Sequence, residues 1–138
     1  MSPVRRIVCA DGPDGKSKAI DDGPAPLLPD SSAFIWSTDA TPARTDTDPP
    51  RVLAPPPGGS VCRIVSFPPR DPARPPMRAT RTLDFCLVLE GEITLVLDAE
   101  EVHLAKGDTV IQRGTRHAWS NRSSRPCVVA ISSHDAAG

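Results

Sequence analysis

Three histidines punctuate this chain, His103, His117 and His134, and His117 is the one placed where a side chain can do chemistry. It lies in "GDTVIQRGTRHAWSN", Gly107 to Asn121, between a glycine turn and a tryptophan. An imidazole there has three possible uses: it ligates a metal, it carries a proton near neutral pH, or it fills space. His103 alternates with Val102 and Leu104 and is expected to face solvent, while His134 is expected in a polar tail. Four cysteines, Cys9, Cys62, Cys86 and Cys127, are far apart and form no CxxC pair. Three of them sit in apolar, strand-like runs, so they read as buried free thiols rather than a disulfide framework.

The elements that must position His117 are short strands. From Ser60 onward the segments "SVCRIVSF", "LDFCLVLEG", "EITLVLD", "EVHLA", "DTVIQ", "HAWSN" and "CVVAISS" are strand-length, rich in Val, Ile and Thr, and separated by Gly, Asp, Pro or Ser. No segment there supports a long amphipathic helix. Tight turns such as "LEGE" and "AKGD" imply an all-β antiparallel sandwich or barrel. Residues 1–57 read instead as an extended, proline-rich arm with edge strands, preceding a barrel at 58–138. From Asp21 to Pro57 proline excludes helix and central strand, leaving the apolar island "AFIWS" to pair on a sheet edge. The lone strand "RRIVCA" pairs either with the barrel's own sheet or with a partner's, and these two segments together predict a homodimer.

Length and charge bound the partners. A chain of 138 residues is one domain by size, and a net charge of -1 with scattered Lys and Arg offers no basic stripe for nucleic acid. The N-terminus has no apolar leader core and roughly 18 consecutive apolar residues occur nowhere, so a soluble, cytoplasmic protein without a membrane partner is expected.

The segment "DFCLVLEGEITLVLDAEEVHLAKGDTVIQRGTRHAWSNRS" resembles the cupins, small jelly-roll barrels, and above all single-domain bacterial and fungal cupins. Their second motif, G-D-x-V-x-Q-R-G-x-x-H-x-W-x-N, is matched here by Gly107, Asp108, Val110, Gln112, Arg113, Gly114, His117, Trp119 and Asn121. The resemblance covers roughly Ser60 to Ser132 and implies a cupin-type antiparallel jelly-roll barrel. Their first motif supplies H-x-H and then an acidic residue seven positions before a glycine. Counting back from Gly91, the acidic position is Asp84, and the histidine positions hold Arg78 and Thr80. Alternation aims Asp84, Cys86 and Val88 at one face of their strand and Phe85, Leu87 and Leu89 at the other.

Asp84 and His117 are too few ligands for a zinc or non-haem iron site, and a permanent charge at Arg78 opposes a divalent cation. No metal is therefore expected, although Asp84, Cys86 and His117 form an alternative set. Without a metal the residues make chemical sense as an acid–base site. His117 carries the proton, Asp84 orients the imidazole, and the Arg78 fork holds a carboxylate or enolate oxygen. A bland alternative is an Arg78–Asp84 salt bridge plugging an inactive barrel. Thr80 and Gln112 offer hydrogen bonds at the pocket mouth, Trp119 either walls the pocket or fills the core, and Arg63 points inward or pairs across a dimer interface. Trp36 either covers the barrel opening or packs on the sheet edge. Asn121 and Gly114 read as turn residues. The resemblance implies a small enzyme of secondary metabolism that dehydrates, decarboxylates or isomerises an acidic or carbonyl-bearing metabolite. A non-catalytic anion-binding barrel and a metal-dependent oxygenase are the alternatives.

Overall fold

The computed structural model describes residues 3–70 and 76–137, which contain ten strands and no helix. The strands are β1 (Arg5–Asp11), β2 (Ser17–Pro24), β3 (Ala33–Thr38), β4 (Ser60–Phe67), β5 (Thr82–Glu90), β6 (Glu92–Val96), β7 (Glu101–Ala105), β8 (Thr109–Arg113), β9 (Ala118–Ser120) and β10 (Cys127–Asp135). A five-stranded antiparallel sheet, β3-β4-β10-β5-β8, faces a three-stranded one, β7-β6-β9, across a core of Cys86, Val88, Ile93, Leu95, Leu104, Cys127, Val129 and Ile131. The alternation read from "LDFCLVLE" holds. Asp84, Cys86 and Val88 are buried, whereas Phe85 and Leu87 are exposed on the outer face.

The N-terminal third departs from the expected arm. "RRIVCA" does not join the barrel's own sheets; it forms a hairpin with Ser17–Pro24, held at its open end by Arg5 on Asp22 at 2.6 Å. That second strand, "SKAIDDGP", has almost no apolar side chains and is exposed nearly throughout, so no period-two hydrophobic signal announces it. "AFIWS" is an edge strand, as expected for an apolar island in a proline-rich stretch, but it also carries core. Phe34 is 1% exposed and packs with Leu28 and Val61. His134 lies in the final strand, not in a polar tail, with its ring 4.7 Å from that of Phe85. Cysteine burial is also mixed: Cys86 and Cys127 are buried, Cys62 is half-buried and Cys9 is exposed.

Two turn residues fix connections of the barrel. Gly114 has φ +66°, and a Cβ there would stand 3.0 Å from the Thr80 carbonyl oxygen, so this glycine lets the segment just before β5 approach the turn after β8. Asn121 is 1% exposed and fully engaged. Its amide donates to the carbonyls of Phe67 and Arg125 at 3.0 and 2.8 Å, and its Oδ1 accepts from the Ser123 amide and hydroxyl at 3.1 and 2.7 Å. Asn121→Ala orphans buried carbonyls and releases the turn from β9 to β10. A loss of roughly 2–4 kcal/mol is expected in chemical denaturation. A change below about 0.5 kcal/mol would show that water replaces the amide without cost.

Candidate functional site

Alternation and register bring side chains from four strands into one cavity of about 410 Å³ at the end of the barrel. On the five-stranded sheet, Asp84 of β5 lies opposite Ser133 of β10, and Cys86 opposite Ile131, which in turn lies opposite Arg63 of β4. Directly paired residues share a face, so Asp84, Ser133, Cys86, Ile131 and Arg63 all point inward. His117 and Trp119 also line it, with Leu53, Ala54 and Pro55 from the loop between β3 and β4.

His117 is fixed from two directions. Its backbone exchanges both hydrogen bonds with Arg78, each at 3.0 Å, which places the two side chains next to one another at the mouth. Its Nδ1 is 2.7 Å from the Thr115 carbonyl oxygen. A carbonyl only accepts, so Nδ1 bears the hydrogen and the neutral ring keeps its lone pair on Nε2. The orienting group is thus the Thr115 carbonyl. The expectation that Asp84 orients the imidazole is corrected, since none of the side-chain hydrogen bonds among the described residues joins the two.

Asp84 is 7% exposed, and its Oδ1 is buried with no hydrogen-bond partner. No ion pair among the described residues joins it to Arg78, which is exposed, so the barrel is not plugged by that salt bridge. Arg63 faces the cavity and is braced from outside: its Nη1 donates to Asp30 Oδ2 at 2.9 Å and to Ser32 Oγ at 3.3 Å. Partial burial pushes the Asp30 carboxyl upward, but hydrogen bonds from the Ser32 hydroxyl and amide and the charge of Arg63 outweigh it and hold the group below its usual range.

Thr80 lines the cavity and accepts a hydrogen bond from Thr82 Oγ1 at 3.0 Å. Trp119 has both of its expected roles, since it lines the cavity and packs on the core, with its ring 6.0 Å from His117 and 6.1 Å from Phe67. Two candidates lie elsewhere. Gln112 is buried opposite Asp84, accepts from the Thr115 hydroxyl at 2.7 Å and does not line the cavity, so it serves the turn that carries His117. Trp36 borders a different pocket under the Arg6 guanidinium, 5.8 Å from its ring, because β3 is the sheet's far edge. Sequence reasoning missed Leu53, Ala54 and Pro55, which do line the cavity, because a proline-rich loop has no periodicity to read.

The donor set does not fit a metal. Among the described residues no group of three or more His, Cys, Asp and Glu side chains is arranged to hold one. Cys86 does not complete a triad with Asp84 and His117. Burial and then the charge of Asp84 push its thiol up to about 12, away from the thiolate that metals bind. Thiol reactivity checks this directly. A disulfide reagent at pH 8 is expected to label Cys9 within minutes and Cys62 slowly, while Cys86 and Cys127 wait for denaturant; rapid labelling of Cys86 in the folded protein would contradict its burial.

With this geometry established, comparison with known proteins is specific about fold. The cupin domain family model matches residues 63–133, just over half of the chain. A phomopsin biosynthesis cluster protein C' of Diaporthe leptostromiformis is 50% identical over 68 residues, 49% of this chain and 35% of that protein. A cupin-domain-containing oxidoreductase of Hypocrea virens is 37% identical over 99 residues, 64% of this chain and 48% of that protein. The chain therefore spans about a third to a half of the length of these curated relatives. Among solved structures, the cupin domain of Schizosaccharomyces pombe Cnp3 aligns with a TM-score of 0.60 at 11% identity, covering 95% of this chain and 87% of that one. A cupin barrel protein of Salinispora arenicola aligns with a TM-score of 0.56 at 18% identity, covering 86% and 92%.

Proposed function

Given that this chain belongs to the cupin family, we propose that it is an enzyme of secondary metabolism that moves protons on a small acidic or carbonyl-bearing metabolite without a metal. The observation that carries this reading is the 2.7 Å contact from His117 Nδ1 to the Thr115 carbonyl. It leaves Nε2 as a base on the wall of the cavity. In the proposed reaction Nε2 withdraws a proton from carbon beside a carbonyl. The Arg78 fork, whose charge persists at all working pH values, holds the oxygen on which negative charge develops. Asp84, unpaired at the base of the cavity, accepts a hydrogen bond from the substrate. Dehydration and isomerisation or cyclisation follow from this carbanion-like state as the proton on Nε2 is returned to a leaving hydroxyl or to another carbon; decarboxylation reaches the same state from the other side, CO2 leaving its electron pair on carbon, which then takes a proton.

Relatives named for phomopsin and oryzine biosynthesis clusters support the metabolic setting. Relatives named oxidoreductases support a rival reading, in which an added redox partner does the chemistry. Incubating the protein in D₂O with carboxylic and carbonyl compounds, with chelator present, separates the two. Deuterium entering the carbon skeleton, detected by mass spectrometry, supports proton transfer. Turnover only when a metal or a redox cofactor is added would overturn it.

A further inference from the structure

Two residues that line the same cavity from different strands carry unmet hydrogen-bonding needs. Asp84 Oδ1 on β5 is a buried acceptor without a donor, and Arg63 Nε on β4 is a buried donor without an acceptor. Such groups cost about 1–3 kcal/mol each when left unpaired, more when charged, so a polar molecule in the cavity toward which these side chains turn would relieve them. They cannot relieve each other. Cys86 lies opposite Ile131 and Ile131 opposite Arg63, so β10 separates the two strands, and Asp84 lies a further two residues along β5. Two strand spacings of about 4.8 Å and two residue rises of about 3.3 Å put the two backbones on the order of 12 Å apart.

Arg63 is also held in place. Nη1 is tied to Asp30 and Ser32, and Asp30 is in turn fixed by the Ser32 amide and hydroxyl at 2.9 and 2.5 Å. The remaining edge of a planar guanidinium then has one orientation, which suits an oxygen acceptor. Asp84 has the softer terminal torsion, and rotation about it presents either oxygen to a donor. Between them lie apolar surfaces from Ile131, Val65, Phe67 and Trp119.

We infer that the cavity binds a hydroxylated carboxylic or carbonyl compound, with its hydroxyl donating to Asp84, its acidic or carbonyl oxygen on Arg63, and an apolar body between them. This rests on the reading that the cavity is the functional site. It names the substrate class and makes Arg63 a specificity-determining residue beside Arg78.

Rigid probes test it without turnover. Binding of benzoate, phenol and 2-, 3- and 4-hydroxybenzoate to the whole protein is measured by calorimetry or ligand-observed NMR at constant ionic strength. At least one hydroxybenzoate is expected to bind tenfold or more tightly than both benzoate and phenol. Asp84→Ala should erase the advantage of the hydroxyl while leaving benzoate binding within a factor of about three. Arg63→Lys should weaken benzoate and hydroxybenzoate together by about tenfold, and Asp30→Asn by less, because it loosens the brace and leaves the guanidinium. An unchanged thermal unfolding midpoint shows that a variant is folded, and Arg63→Gln serves where the lysine variant is not. Hydroxybenzoates no tighter than benzoate, a hydroxyl advantage that survives Asp84→Ala, or no binding at millimolar concentration would each overturn the inference. Because the readout is binding, loss of the acid–base chemistry in His117→Ala leaves it standing. Its own failure likewise leaves that chemistry to be judged by deuterium incorporation.

Discussion

His117→Ala is expected to lower turnover by about 10²–10⁴-fold, with substrate binding changed by less than threefold and the β-sheet spectrum unaltered. The expectation follows from where the ring is held. Both hydrogen bonds between His117 and Arg78 run through the backbone, so truncating the side chain leaves the strand pairing intact. Only the Thr115 carbonyl loses a partner, and it lies beside an open cavity mouth that water reaches. The lost activity is that of a proton carrier, so added imidazole, which fits the vacated wall, should restore part of it in a concentration-dependent way. A His117→Ala protein within threefold of the wild-type rate would eliminate the imidazole as the base. Failure of imidazole rescue together with weakened binding would return His117 to a packing role against Trp119.

How much of this was readable before any coordinates depended on whether a residue lay on a half-buried strand. Alternation alone puts Asp84 and Cys86 on one face of their strand, and that face is the inner one, because a sheet with one face on the core forces period two. For Arg63 two roles stay open, since in "SVCRIVSF" it shares the more apolar face with Val61, Val65 and Phe67, and alternation that points it inward competes with the preference of a charge for solvent or an interface. Gln112 shows another limit. It has the alternation of an inward residue and is inward, but its amide oxygen is taken by Thr115 three residues later, a local hydrogen bond that strand periodicity does not encode. Trp36 takes the second of its two expected places, on the sheet edge, and which of the two applies depends on topology: its strand pairs with β4 at the far edge of the sheet, a partner that the residues of "AFIWS" do not name. The partner of His117 escaped as well, because a backbone carbonyl at Thr115 leaves no trace in residue identity.

Arg78→His should turn the site toward a metal. Arg78 and His117 exchange both of their backbone hydrogen bonds, at 3.0 Å each, so residues at these positions leave the ladder side by side, with Cβ atoms about 5.5 Å apart. That spacing lets two imidazoles converge on one ion. Asp84 faces the same cavity with an oxygen that lacks a partner, so the variant assembles the two-histidine, one-carboxylate set that iron or zinc accepts. It also removes a guanidinium charge that repels a divalent cation, by roughly 8 kcal/mol at 4 Å in an effective dielectric of 20 and less once solvent screens the exposed arginine. Elemental analysis of protein purified without chelator is expected to give well under 0.2 equivalents of metal for the wild type and close to one equivalent for Arg78→His. Proton-transfer activity should fall at least tenfold in the variant, because a neutral imidazole does not replace the forked charge on the developing oxyanion. Full metal occupancy in the wild type would sink the metal-free proposal at once. If Arg78→His gained metal and activity together, position 78 would be a lost ligand, and the present barrel would descend from a metalloenzyme whose chemistry the arginine had switched off.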